Sequence, residues 1–346
     1  MTHTNATSNK STNGRSLPFL RLATRIAPGP MERYAATMFF TPRRRRKVRP
    51  AEHQLLKQAK QHAIMVRGRS LVCWHWAGHG PTVLLVHGWQ GNAAQMTPFV
   101  EPLRSRGYSV VAIDLPAHGA SGGRRTHLIE AMRVLDACVR RFGPIHATIG
   151  HSFGANGTLL AASRSVALGD LILIGPMMDP TSILRDHLSR AGLSPQRQRR
   201  VTKRIEQRLA FPITDLNAVG LIGTIDARFL LITDTEDEVS NVDDLRLLAA
   251  AHPETQTFIS AGYGHHRLLR APEVIDRVTK FLGRAEKKAK PTTRAVNTWY
   301  SHCATPGCGH PIEATDTLGA PRCMTCLISG ELANPDLRAF PTDPAA

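Results

Sequence analysis

The chain has 346 residues, 44 Lys and Arg against 27 Asp and Glu, and a formal net charge of +17. That length allows one large domain with attachments, and the charge favours anionic partners such as nucleic acid, a membrane surface or an acidic substrate. A hydrophobic content of 42% is ordinary for a globular protein, and no apolar run approaches the roughly 20 residues of a membrane span.

Residues 1–16 are rich in Ser, Thr and Asn and carry no hydrophobic segment of the signal-peptide kind. They predict a disordered leader and a cytoplasmic location. Residues 17–61 read as a basic, partly helical extension. Its apolar residues, Leu17 to Leu20 and Met38 to Phe40, predict a short helix docked on the core. Its run Arg43 to Arg49 predicts a solvent-facing basic segment.

From about residue 62 to 285 short apolar runs alternate with helical stretches. The strand candidates are Ile64–Val66, Leu71–Trp74, Val83–Val86, Ser109–Ile113, Ala147–Ile149, Leu171–Ile174, Phe229–Ile232 and Thr257–Ile259. The later ones are almost wholly apolar, as strands covered on both faces must be. Between them Leu128, Met132, Leu135 and Val139 recur at helical spacing. The pattern predicts an α/β fold with a mostly parallel sheet and helices on both faces. Residues 178–224 break the alternation and predict a small helical cap, whose second helix opens at Ser194-Pro195 and shows the stripe Val201, Ile205 and Leu209. The many arginines there fit either an attraction for anions or a solvated face.

Gly150-His151-Ser152-Phe153-Gly154 follows one of the strand runs and precedes a helical one. In that context G-x-S-x-G is a sharp turn that exposes a nucleophilic serine at the end of a strand. A serine hydroxyl then needs a base, a group that orients the base, and donors for the developing oxyanion.

Two further segments carry a resemblance. Val83 to Gly91 and Val111 to Gly122, the latter reading D-x-P-x-H-G-x-S, are similar to consecutive motifs of the α/β-hydrolase superfamily, in that family's order. The resemblance covers about residues 62–285. It implies an oxyanion hole from the backbone N–H groups of Trp89 and Phe153, and structural duties for His87 and for Asp114 to Ser121. It also implies that Asp237, in a late D-x-V turn, orients His265 of a G-x-G-H loop, with His265 as the base for Ser152. Asp234 and His266 are the neighbouring rivals. A serine nucleophile points to esters, thioesters or amides, with ester hydrolysis through an acyl-enzyme as the leading expectation and no cofactor for catalysis. The substrate class is a small acyl compound.

Beyond a linker at 286–299, residues 300–334 hold Cys303-x4-Cys308 and Cys323-x2-Cys326. Two cysteine pairs at such a distance are similar to zinc ribbons. They predict one structural Zn²⁺ held by Cys303, Cys308, Cys323 and Cys326, with His302 and His310 as possible substitutes. Residues 335–346 are a tail. A second functional class stays open at this stage: a binding or scaffolding protein on a hydrolase core, engaging nucleic acid or protein through the basic extension and the ribbon. Nothing in the sequence speaks to the oligomeric state.

Overall fold

The computed structural model describes residues 22, 24–43 and 46–284, with two short strands at 314–315 and 321–322. The leader, the linker and the four tail cysteines lie outside the described residues. All eight strand runs form strands: β1 (Lys60–Val66), β2 (Arg69–Trp76), β3 (Thr82–Val86), β4 (Ser109–Ile113), β5 (Ile145–His151), β6 (Asp170–Ile174), β7 (Phe229–Asp234) and β8 (Gln256–Ser260). They make one sheet in the order β1-β2-β4-β3-β5-β6-β7-β8. Pairing is antiparallel for β1–β2 and β2–β4 and parallel from β4 onward.

Alternation along the central strands builds a core on each face, because successive side chains point to opposite sides. In β3, Leu84 and Val86 enter one cluster while Val83 and Leu85 enter the other. The helices are α1 (Pro28–Phe39), α2 (Pro50–Lys57), α3 (Val100–Arg104), α4 (Leu128–Phe142), α5 (Phe153–Ser163), α6 (Pro180–Arg190), α7 (Pro195–Leu209), α8 (Ala218–Ile222), α9 (Val242–Ala251), α10 (Gly264–Arg267) and α11 (Pro272–Leu282). Residues of α4, α5, α8 and α9 cover the first face, and those of α3 and α11 cover the second.

Three expectations change. The buried stripe of α4 runs through Leu128, Ala131, Val134, Leu135 and Cys138, with Met132 and Val139 only at its margin. The reason is close packing against α5: a Cβ added at Gly157 would meet Ala131 Cβ at 3.0 Å. Small residues therefore set the contact, and a spacing of large ones does not find it. Cys138 lies in this stripe, and its thiol pKa is pushed up by a hydrogen bond with Cys73 and by burial.

The extension does form a helix, α1, but its partner is not the sheet core. Ala35 and Phe40 pack with Leu184, Leu188, Leu193, Val201, Ile205 and Ile213, the apolar residues of the strandless interval between β6 and β7. Beneath them Glu32, almost fully buried, pairs with Arg197, Arg200 and Arg204 of α7 at 3.1, 3.4 and 3.3 Å. Much of the arginine on this interval thus has a structural use.

The basic run does not simply face solvent. Arg46 pairs with Glu52 at 2.5 Å and donates to Asn92 Oδ1 at 3.2 Å, and Arg270 reaches Glu52 at 2.7 Å. Burial alone would raise the Glu52 carboxyl; Arg46, the Arg49 N–H and Arg270 together outweigh it and hold it below its ordinary value. Among the described residues no helix is long and apolar enough to cross a membrane.

Candidate functional site

Ser152 sits between the end of β5 and the start of α5, at φ 52° and ψ −121°. A non-glycine residue there costs on the order of 1–3 kcal/mol, so the surroundings must impose it. They do so by close approach. A Cβ on Gly154 would lie 2.4 Å from the His87 carbonyl oxygen, so only glycine lets α5 start this near β3. The Ser152 N–H is held by the Ile174 carbonyl at 2.9 Å. The turn aims the side chain away from both cores, toward the loops after β7 and β8.

His265 arrives from α10 and Asp237 from the turn after β7. His265 Nε2 lies 2.9 Å from Ser152 Oγ, and His265 Nδ1 lies 2.8 Å from Asp237 Oδ2. The second carboxylate oxygen of Asp237 accepts the Val239 and Ser240 N–H groups at 2.8 Å each, which fixes its orientation. Asp237 is buried and His265 only partly so. The structure thus brings Ser152, His265 and Asp237 into one hydrogen-bonded line.

The rivals fall elsewhere. Asp234, fully buried, accepts from the Glu236, Tyr263 and Gly264 N–H groups and from the Ser260 hydroxyl. Burial would raise its carboxyl, but these donors outweigh it and hold it below its ordinary value. Asp234 therefore ties the β7 turn to the loop that carries His265. His266 is exposed, with its ring 5.1 Å from that of His265, while the Asp237 carboxylate is bonded to His265.

The loop after β3 is braced by the motif after β4. His118 Nε2 accepts the Gln90 N–H at 2.9 Å, and Asp114 Oδ1 accepts the Ala93 N–H at 2.7 Å. Burial raises the Asp114 carboxyl, against the opposing donors Ala93, Ala120 and Trp74. Ser121 accepts the Val72 N–H and donates to the Asp114 carbonyl. His87 is fully buried: Nε2 accepts the Leu115 N–H at 3.0 Å and Nδ1 donates to the Gly88 carbonyl at 2.7 Å. Burial, partly offset by that carbonyl, pushes its pKa down to about 4. These residues hold the backbone on both sides of Trp89. Trp89 packs edge-to-face on Phe153, ring centroids 5.2 Å apart. Phe153 opens α5, so its N–H has no acceptor within the helix and is free to serve a ligand. Trp89, in the loop after β3, and Phe153, at the start of α5, thus lie on the two elements that flank Ser152.

His151 is a functional residue that sequence reasoning missed. It is buried, and its Nε2 bonds the His265 carbonyl at 2.8 Å, across 114 residues of chain. Burial and then the nearby His265 hold its pKa well below the ordinary histidine value. No sequence signal marks it, because the middle positions of G-x-S-x-G are unrestricted.

Comparison with known proteins follows the same lines. Residues 83–314 match the alpha/beta hydrolase family. A pimeloyl-(acyl-carrier protein) methyl ester esterase of Xanthomonas campestris is 33% identical over 97 residues, 28% of this chain and 37% of that protein. A serine hydrolase-like protein of Danio rerio is 37% identical over 83 residues, 22% of this chain and 25% of that one. The chain therefore matches well under half the length of these relatives. Among solved structures, an esterase of Pyrococcus furiosus superimposes with a TM-score of 0.55 at 22% identity, covering 71% of this chain and 97% of that one. A membrane phospholipase A, a bacterial virulence factor, gives 0.53 at 20% identity, covering 78% and 97%. At such identities the structural likeness speaks for the fold alone. Two thirds of the chain fall within the family match, and on that ground the chain belongs to the alpha/beta hydrolase family.

Proposed function

We propose that this protein is a serine hydrolase of carboxylic esters or thioesters, working through Ser152, His265 and Asp237. The observation that carries the reading is the continuous line Ser152 Oγ to His265 Nε2 at 2.9 Å and His265 Nδ1 to Asp237 at 2.8 Å. In that line His265 takes the Ser152 proton as Oγ attacks the acyl carbon. Asp237 keeps the His265 proton on Nδ1 and stabilises the imidazolium that forms. The tetrahedral oxyanion is met by the Trp89 and Phe153 N–H groups, donors fixed in advance and worth more there than in water. Collapse of the intermediate expels the alcohol or thiol, which takes the proton back from His265. Water then repeats the sequence on the acyl-enzyme and regenerates Ser152. No cofactor is needed for these steps. The sequence relative of Xanthomonas campestris that is named a methyl ester esterase supports an ester as substrate.

The helical interval between β6 and β7, strapped by α1, is the proposed cap that shapes the acyl pocket. The tail cysteines Cys303, Cys308, Cys323 and Cys326, outside the described residues, are proposed to close one structural zinc site. The short strand pair Ala314–Thr315 and Pro321–Arg322 falls between the two cysteine pairs in sequence. A cytoplasmic location and an anionic surface or protein partner for the basic segments belong to the same proposal. A panel of p-nitrophenyl esters and acyl thioesters of graded chain length tests the reading. Turnover of at least one of them, lost when Ser152 is replaced, is the expected result; no turnover of any member and no labelling of Ser152 by a fluorophosphonate would remove it.

A further inference from the structure

Three imidazoles crowd one corner of the site. One ring nitrogen from each of His151, His265 and His266 lies within 4.8 Å of the others. The hydrogen bonds decide which nitrogens can act as ligands. A carbonyl oxygen only accepts, so His151 must carry its proton on Nε2 to bond the His265 carbonyl at 2.8 Å. Its lone pair is then on Nδ1, which is buried and without a hydrogen-bond partner. A buried acceptor left unmet in this way is costly and calls for an explanation.

His265 is arranged in the same manner. Its Nδ1 proton goes to Asp237 at 2.8 Å, which leaves the lone pair on Nε2, now facing Ser152 Oγ at 2.9 Å. Histidines that ligate metals have this layout: one ring N–H is given to a carboxylate or a backbone carbonyl, and the other nitrogen presents its lone pair. Here one ring uses the carboxylate and the other uses the carbonyl. His266 adds a third ring, exposed, with its centroid 5.1 Å from that of His265 and 6.0 Å from that of His151.

We propose that His151, His265 and His266 form a site for a borderline divalent cation, Zn²⁺ foremost, whose binding switches the hydrolase off. Imidazole nitrogens suit zinc, copper and nickel, while calcium and magnesium require oxygen ligands. Three histidines leave the fourth tetrahedral position to a water or to Ser152 Oγ. Zn–N distances near 2.0–2.1 Å put ligand nitrogens roughly 3.3 Å apart, so rings whose nearest nitrogens lie within 4.8 Å must draw together around the cation. His266, exposed, has the freedom to move. The bound cation occupies the His265 Nε2 lone pair, and Ser152 then has no base. This loss of activity rests on the hydrolase reading; the binding of the cation does not.

The test uses the full-length chain, its His266→Gln variant and its Ser152→Ala variant, with Zn²⁺ as the probe. His266 has no part in the hydrolytic line, so H266Q should keep its basal ester turnover. Added Zn²⁺ should inhibit the unaltered chain, with recovery on chelation. H266Q should need about tenfold more zinc or greater, as expected on removing a ligand. S152A should take up the same extra zinc in equilibrium dialysis as the unaltered chain, since Ser152 is not a required ligand. Zinc held by the tail cysteines is common to all three chains and cancels. Equal uptake and equal inhibition in H266Q and the unaltered chain would overturn the site. If no chain hydrolyses any ester, dialysis of H266Q against the unaltered chain still decides it, and the fault then lies with the hydrolase reading.

Discussion

Asp234 accepts the Gly264 N–H at 2.8 Å, one residue before His265, and so two carboxylates three positions apart serve the same histidine in different ways. Asp237 touches the imidazole itself, while Asp234 fixes the backbone that carries it. The two should separate by experiment. Asp237→Asn should lower kcat by about 10²–10⁴-fold with little change in thermal stability, because the fold keeps its donors and only the His265 tautomer is lost. Asp234→Ala should lose about 2–3 kcal/mol of stability, since it strands the partly buried N–H groups of Glu236, Tyr263 and Gly264 and the buried Ser260 hydroxyl, with a smaller effect on kcat. Chemical unfolding alongside steady-state kinetics reads both. A greater loss of kcat at Asp234 than at Asp237 would mean the wrong carboxylate has been placed in the line.

Ser152→Ala should abolish ester turnover and fluorophosphonate labelling and leave the circular dichroism spectrum unchanged. The hydroxyl bonds His265, and the turn is held by the Ser152 N–H, which alanine keeps. His265→Ala should cost a similar factor, because members of such a line act as a unit.

Acid should weaken the fold through His87. Its folded pKa is about 4, below the roughly 6.5 of an unfolded histidine. Between those values the unfolded chain takes a proton that the folded chain refuses, so its contribution is present above about pH 6.5 and falls away down to about pH 4. The loss should reach about 3 kcal/mol from this residue. Urea midpoints measured across that window should fall less steeply in His87→Gln, whose side-chain oxygen can still accept the Leu115 N–H. His151, also depressed, keeps some slope in the variant.

Glu32→Ala should loosen the α1 strap. It leaves Arg197, Arg200 and Arg204 facing one another with no carboxylate between them. Because two of those arginines are more than half exposed, the cost should be only about 1–2 kcal/mol. Proteolysis within residues 180–222 should speed up, and KM for long acyl esters should rise while labelling of Ser152 persists. An unchanged cleavage pattern would show that α1 does not hold this interval.

Purified protein prepared without chelators should contain about one zinc per chain, the stoichiometry of one closed four-cysteine site. Cys323→Ser should lower that content and make the chain beyond about residue 295 more sensitive to protease, since metal binding and folding are coupled in so small a unit. Turnover of a small ester should survive. Elemental analysis that finds no metal would remove the zinc assignment.

The α/β class and all eight strands were legible in the sequence: the central strands, buried on both faces, read as nearly unbroken apolar runs, while the largely exposed edge strands β1 and β8 carried only short ones. The elbow at Ser152 was legible too, since its turn demands small residues at Gly150 and Gly154, a local requirement. Asp237 and His265 were named on the motifs of a family resemblance, and their meeting is a matter of tertiary structure: it joins three loops across 113 residues of chain. Folding alone decided the rest. The division of labour between Asp234 and Asp237 depends on which carboxylate the β8 loop folds over. The bond from His151 to the His265 carbonyl, the clamp of Glu32 on three arginines and the Arg46–Glu52 pair join residues whose types are common and whose spacing follows no period. Hydrophobic periodicity is written into the chain because each position pays separately for exposure to water; a polar contact at long range exists only once two distant backbones have been brought within 3 Å, and no local pattern records that.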